Sequence, residues 1–128
     1  MNADSPQKQI EFPVQKQLEA DNAHDIEAFI SWSADDCQYH EFPMRLLANG
    51  APEILERHVA RFRESNLYGE LIKRIVVANI VVYQETVTRT FPEGPGEIDV
   101  IAIYEVDNGK LANAWFKTGS PRLHTTSV

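Results

Sequence analysis

The sequence predicts an α+β domain, with helices in the first half and a long antiparallel sheet in the second. Three observations carry this. Apolar residues recur at helical spacing as far as Phe62. They alternate at strand spacing from Glu70 on. Three turn signals then divide the second half into the four strands of a meander. A chain of 128 residues has a one-domain length, and a globule of that size buries roughly two thirds of its unfolded surface. The 43% hydrophobic content suffices for a packed core without disulfide or metal.

The first helical pattern is Ile10, Val14 and Leu18, broken by Asn22-Ala23-His24-Asp25. Asp25 is placed to cap a second helix with Ile26, Phe29 and Ile30 on one face, running out at Ser33-Ala34-Asp35-Asp36. Cys37 to Phe42 alternates as a short strand stopped by Pro43, with Cys37, Tyr39 and Glu41 on one face and Gln38, His40 and Phe42 on the other. A third helix starts at Asn49-Gly50-Ala51-Pro52, where Pro52 suits the first turn. Its apolar stripe is Ile54, Leu55, Val59 and Phe62, with His58 inside it.

The strands that follow are Leu71 to Val77, Ile80 to Phe91, Ile98 to Val106, and Lys110 to about Gly119. Ala78-Asn79, the loop Pro92 to Gly96, and Asp107-Asn108-Gly109 separate them. Ile98, Val100, Ala102 and Tyr104 share one face of the third of these strands, while Ile101 and Ile103 sit on the other. With both faces substantially apolar, helices are expected over one and a second copy of the chain against the other, so a homodimer is predicted. Residues 1–8 and 122–128 are polar and expected to fray; the whole of 1–128 reads as one domain.

Net charge −7 argues against a nucleic-acid surface. The longest apolar stretch, Ile75 to Tyr83, is too short to span a bilayer, and the first twenty residues lack the apolar run of a secretion signal. A single cysteine, Cys37, forbids an intrachain disulfide. A soluble, cytoplasmic protein with neither nucleic-acid nor membrane partner is expected. No three ligands fall at metal spacing and no Gly-rich phosphate loop precedes a helix, so no metal and no cofactor is expected. Cys37 reads as a small buried residue rather than a nucleophile.

The order helix, helix, short strand, helix, four-strand meander resembles the nuclear transport factor two-like superfamily, whose cystatin-like, cone-shaped domains wrap a curved sheet around a pocket. Local residues strengthen the resemblance: the turn Asn22 to Phe29, Ala34-Asp35-Asp36-Cys37 entering the first strand, Asn49-Gly50 before the third helix, and Gly109-Lys110-Leu111 opening the last strand. It covers about residues 10–120, and within the superfamily it is closest to the SnoaL-like polyketide cyclase and ketosteroid isomerase branch.

That resemblance implies a pocket for a small apolar molecule. Ketosteroid isomerase uses an Asp base and an oxyanion hole of Tyr and protonated Asp. By the resemblance the base position is Glu41, five residues after Asp36; the oxyanion Tyr becomes Gln17, and the second oxyanion acid becomes Ala102. Two of three roles have changed, which argues against ketosteroid isomerisation itself. Partial desolvation is expected to raise the pKa of Glu41 toward general-base range; the alternative is a strand-end Glu in solvent. His58 is either an acid near neutrality or a core histidine satisfied by one hydrogen bond. Tyr39 and Tyr104 are ligand-orienting or core aromatics. The family pattern puts Val100, Ala102, Ala114 and Phe116 in the pocket wall and Trp115 on the dimer face. The expectation is proton transfer at carbon on an apolar, oxygen-bearing substrate by an isomerase, cyclase or dehydratase. The alternative is a non-catalytic ligand-binding or dimerisation module.

Overall fold

The computed structural model describes residues 6–124. Its elements run α1 (Pro6–Asn22), α2 (Ile26–Ser31), β1 (Ser33–Glu41), β2 (Arg45–Asn49), α3 (Ala51–Arg61), β3 (Tyr68–Val77), β4 (Ile80–Phe91), β5 (Gly94–Asp107), β6 (Lys110–Thr118) and β7 (Arg122–Leu123). The main sheet has the order β2-β1-β6-β5-β4-β3, and the short β7 pairs with the start of β5. From β3 to β6 it is the expected antiparallel meander. β1 lies parallel to β6, so the sheet as a whole is mixed.

Register shifts between Tyr39 and His40, between Leu71 and Lys73, and between Glu105 and Val106 are bulges, which bend strands and increase twist. The curved sheet carries α1 across its inner face and α3 over β1 and β2. Asp25 caps α2 by accepting a hydrogen bond from the Ala28 N–H at 3.1 Å, as its position implied. The Glu53 carboxylate accepts from the Asn49 N–H at 2.7 Å ahead of α3. Asn108 and Gly109, at φ 51° and 75°, make the two-residue hairpin turn that Asp107-Asn108-Gly109 signalled. Val14, Phe29, Cys37, Ile54, Val81, Tyr83 and Leu111 form the core between helices and sheet. Burial pushes the Cys37 thiol up to about 12, which makes it inert as a nucleophile.

Several expectations are corrected. β1 begins at Ser33 rather than Cys37, because the stretch where α2 runs out already pairs with β6. A strand absent from the sequence reading, β2, folds back on β1 after Pro43. The loop Pro92 to Gly96 contracts to the turn Pro92-Glu93: Gly94, Pro95 and Gly96 pair with Phe91, Thr90 and Arg89. Gly96 serves close approach and not turning, since a Cβ there would stand 2.5 Å from the Arg122 carbonyl oxygen of β7. Residues 6–8 belong to α1, and Arg122–Leu123 pairs with β5, its Arg122 guanidinium bonded to Asp99 and Glu97. The remaining residues expected to fray, 1–5 and 125–128, lie outside the described residues. On α3, Leu55 and Val59 turn away from the core, and the inward face is Ile54, Arg57, His58 and Arg61.

Candidate active-site cavity

The inner face of the sheet and the helices enclose a cavity of about 300 Å³. Helix α1 contributes Gln17, Leu18 and Asp21. α3 contributes Arg57, His58 and Arg61, whose spacing of three and four residues keeps them on one helical face. Glu85, Val87 and Arg89 alternate along β4, and Ile98, Val100, Ala102 and Tyr104 along β5, so that period two sends each set inward. Tyr39, Glu41, Arg45, Leu47, Phe116 and Thr118 complete the wall. The sequence-proposed residues Gln17, Tyr39, Glu41, His58, Val100, Ala102, Tyr104 and Phe116 thus line a single space. Ala114 does not: it is fully buried between the strands, where its carbonyl oxygen meets His40 Nδ1 at 3.3 Å.

Glu41 sits at the rim. Its side chain is 44% exposed and accepts a hydrogen bond from Arg45 Nε at 2.8 Å. That bond and the charge of Arg45 hold its carboxyl below the ordinary carboxylate range, opposite to the rise expected of a desolvated base. Strand pairing explains the error: β2, unseen in the sequence, brings Arg45 directly across from Glu41. His58 also departs from its expected titration. It is packed against Phe29 at 4.1 Å between ring centroids, and burial pushes its pKa down to about 3. It is therefore neutral at pH 7, with Nδ1–H donating to the Ile54 carbonyl at 3.2 Å and Nε2 left as an acceptor.

The interior holds two carboxyl groups that sequence reasoning missed. Glu85 is 7% exposed, and its side chain forms no hydrogen bond among the described residues. Burial, then the nearby charge of Asp21, pushes it up to about 7. Asp21 is partly exposed as a residue, yet its Oδ1 is sealed from solvent and has no hydrogen-bond partner among the described residues. Burial raises it to about 6 against the pull of Arg61 and His24. A Cβ on Gly69 would stand 2.8 Å from Glu85 Oε1, so the absent side chain makes the room this carboxyl occupies. The Gly69 backbone is fixed in turn by Asn22, whose side-chain amide exchanges hydrogen bonds of 2.7 and 2.9 Å with it.

Two phenols face the same space. Tyr39 accepts a long hydrogen bond from Gln17 Nε2 at 3.5 Å, which leaves its own O–H without an acceptor among the described groups. Tyr104 has no hydrogen-bond partner among the described residues and stands edge-on to Phe116 at 6.0 Å. Burial raises both well above the ordinary tyrosine range, so both remain donors. Sequence signals for the missed groups exist. Glu85 interrupts the inward apolar series Val81, Tyr83, Val87, and Arg57 and Arg61 share the face of Ile54 and His58.

Among the described residues, no three His, Cys, Asp or Glu side chains are grouped to hold a metal ion, and no helix is long and apolar enough to cross a membrane. A family model described as SnoaL-like domain matches residues 14–114. No curated protein matches the chain by sequence. Solved structures do match by shape. A cystatin-fold protein from Novosphingobium aromaticivorans is 22% identical with a TM-score of 0.76, the match covering 84% of this chain and 96% of the other. A proposed polyketide cyclase from Sinorhizobium meliloti is 21% identical with a TM-score of 0.69, over 82% and 93% of the two chains. An NTF2-like protein from Cytophaga hutchinsonii is 13% identical with a TM-score of 0.73, over 93% and 95%. At these identities the likeness establishes the fold alone.

Proposed function

The chain belongs to the SnoaL-like domain family, and on that premise we propose that its cavity is a cofactor-independent active site that moves a proton at carbon on a small, oxygen-bearing molecule. The observation that carries this reading is the pair Asp21 and Glu85, two carboxyls that form no hydrogen bond among the described residues and line the same cavity as the donors Tyr39 and Tyr104. Both carboxyls have raised proton affinity, Asp21 to about 6 and Glu85 to about 7, so near neutrality Asp21 is largely ionised and Glu85 is divided between its protonated and ionised forms.

In this scheme ionised Glu85 takes the proton from a carbon next to a carbonyl. The Tyr39 and Tyr104 hydroxyls donate to the carbonyl oxygen as negative charge develops on it. Gln17 acts through Tyr39: by donating to its oxygen it leaves the phenol proton for the ligand. His58 Nε2 serves as a neutral acceptor. Return of the proton to a second carbon gives isomerisation, attack of the enolate on a second carbonyl gives cyclisation, and loss of a β-hydroxyl as water gives dehydration. Glu41, the base implied by the family resemblance, is the competing candidate, and Ala102 supplies wall and no donor.

The test is solvent deuterium incorporation, followed by NMR, into a panel of 1,3-dicarbonyl and enone compounds. Acceleration by the wild type with a loss on the order of 100-fold or more in Glu85→Gln supports the reading. An unchanged Glu85→Gln together with an inactive Glu41→Gln moves the base to the rim. No acceleration of any compound leaves the second reading, a non-catalytic binding module, which the donor-less Ala102 position favours.

The partner proposed is a second copy of the chain. On the outer sheet face Leu46, His40, Trp115, Ile103, Val82 and Ile75 are successive cross-strand partners, forming one row across six strands. Ile75 and Leu46 at its ends are about half exposed, and His40 stacks on Trp115 at 5.4 Å. A two-fold axis through the row would bury it against itself. Sedimentation of wild type and Trp115→Glu, dimer against monomer, checks this; a monomeric wild type contradicts it.

A further inference from the structure

Four arginines line the cavity, and they divide into two kinds. At the rim Arg45 is paired with Glu41. Arg89 holds Glu64 through two nitrogens, at 2.7 and 3.3 Å. Arg57 and Arg61, one helical turn apart on α3, form no ion pair and donate no hydrogen bond among the described residues. Unpaired guanidiniums in a part-buried wall are costly, and burial lowers the proton affinity of both, Arg61 to about 10.

From this juxtaposition we infer that the ligand of the cavity carries a carboxylate, held between the guanidiniums of Arg57 and Arg61, with its apolar body along Val87, Ile98, Val100 and Phe116. The inference deepens the reading above by naming the substrate class, and it rests on the cavity being a ligand site but not on the proton-transfer step.

Charge and geometry select the ligand. Once Arg45 and Arg89 are set aside with their carboxylate partners, two guanidiniums face two carboxyls, Asp21 and Glu85. When that pair retains one proton, it carries one negative charge against two positive ones. A single surplus positive charge is completed by a monoanion, not by a dianion such as a phosphate monoester. Asp21 attracts Arg61 electrostatically but forms no ion pair with it, so the guanidinium fork stays open. The planar fork matches a carboxylate in two-point contact. The aliphatic and aromatic wall explains why the remainder of the ligand is apolar. The sequence-based expectation of an apolar ligand thus covers the body of the molecule and omits its head.

Calorimetric titration at pH 7 with phenylacetate, 2-naphthylacetate and decanoate, each beside its neutral primary amide, tests this. At least one acid is expected to bind ten-fold or more tighter than its amide. Arg57→Gln and Arg61→Gln should each erase most of that preference while leaving amide affinity near wild type and the thermal midpoint no lower than wild type. Equal binding of acid and amide, a preference that survives both substitutions, or no binding of any acid at millimolar concentration overturns the inference. Inorganic phosphate binding more tightly than every acid overturns it as well. Glu85→Gln separates the two proposals: it should lose deuterium exchange yet bind the acids at least as tightly, since it adds no negative charge beside the two guanidiniums.

Discussion

The rim and the interior of the cavity use the same residue types to opposite ends. At the rim a glutamate and an arginine, Glu41 and Arg45, face each other across a hairpin, bonded and in water. In the interior Glu85, Asp21, Arg57 and Arg61 stand around one space and form no ion pair within 4 Å among the described residues. Glu41 has its proton affinity lowered by its partner Arg45, whereas burial is the largest cause at the interior groups, and Glu85 is pushed to about 7 where Glu41 is held below its ordinary value. At Glu41 the neighbour across the strand, Arg45, sets the direction in which the carboxyl titrates.

The largest expected effect that would break this comparison is kinetic. Glu85→Gln should reduce deuterium exchange by about 100-fold to 10,000-fold, the span of general-base contributions, while Glu41→Gln stays within a few-fold of wild type. Equal losses would make rim and interior one functional unit.

Stability against pH sharpens it next. Glu85 loses its proton near 4.5 when unfolded and near 7 when folded. Between those values the native state binds more protons, so its contribution to stability falls as pH rises and is flat above about 7. Wild type relative to Glu85→Gln should therefore lose on the order of 3 kcal/mol between pH 4.5 and 7.5, read from urea midpoints. His58 works in the other sense. Its folded pKa near 3 lies below the unfolded 6.5, so stability is lost as pH falls through that window. The subtraction of the two proteins removes this common term.

A smaller effect is expected at Gly69. Gly69→Ala places a methyl group 2.8 Å from the observed position of Glu85 Oε1. The contact is with the end of a flexible side chain, so stability should change by only about 1 kcal/mol. Exchange activity should fall while wild-type fold and acid affinity persist, as circular dichroism and calorimetry will report. Smallest of all, Arg45→Ala at the exposed rim should alter stability by less than about 1 kcal/mol, and it should raise the pKa of Glu41 toward its ordinary value. A large loss of activity in Arg45→Ala would move function outward.

Much of the architecture is legible in the sequence because it rests on local signals. The four-residue steps of α1, the Asp25 cap, the Asn108-Gly109 turn and the period-two face Ile98, Val100, Ala102, Tyr104 all reappear in the structure. What was not legible depends on pairing across distance. β2 carries no turn chemistry beyond Pro43 to announce it, and with it Arg45 was missed as the partner of Glu41. Gly96 reads as a turn residue, although its role is set by Arg122 far along the chain. Arg57 and Arg61, interleaved with Glu56 and Glu64, look like a solvated charged face, and only the burial of Ile54 and His58 beside them shows that the face is turned inward. Glu85 was readable in principle as the charge that interrupts the inward series Val81, Tyr83, Val87, but nothing local distinguishes it from an exposed strand glutamate.

The most direct test of the claim that the acid–base work lies inside is a carboxyl-carbon NMR titration of the wild-type protein, with signals assigned by Glu41→Gln, Glu85→Gln and Asp21→Asn. The account predicts Glu85 titrating near pH 7, coupled to Asp21 near 6, and Glu41 below 4.5. Glu85 and Glu41 titrating together near 4.5 would contradict it.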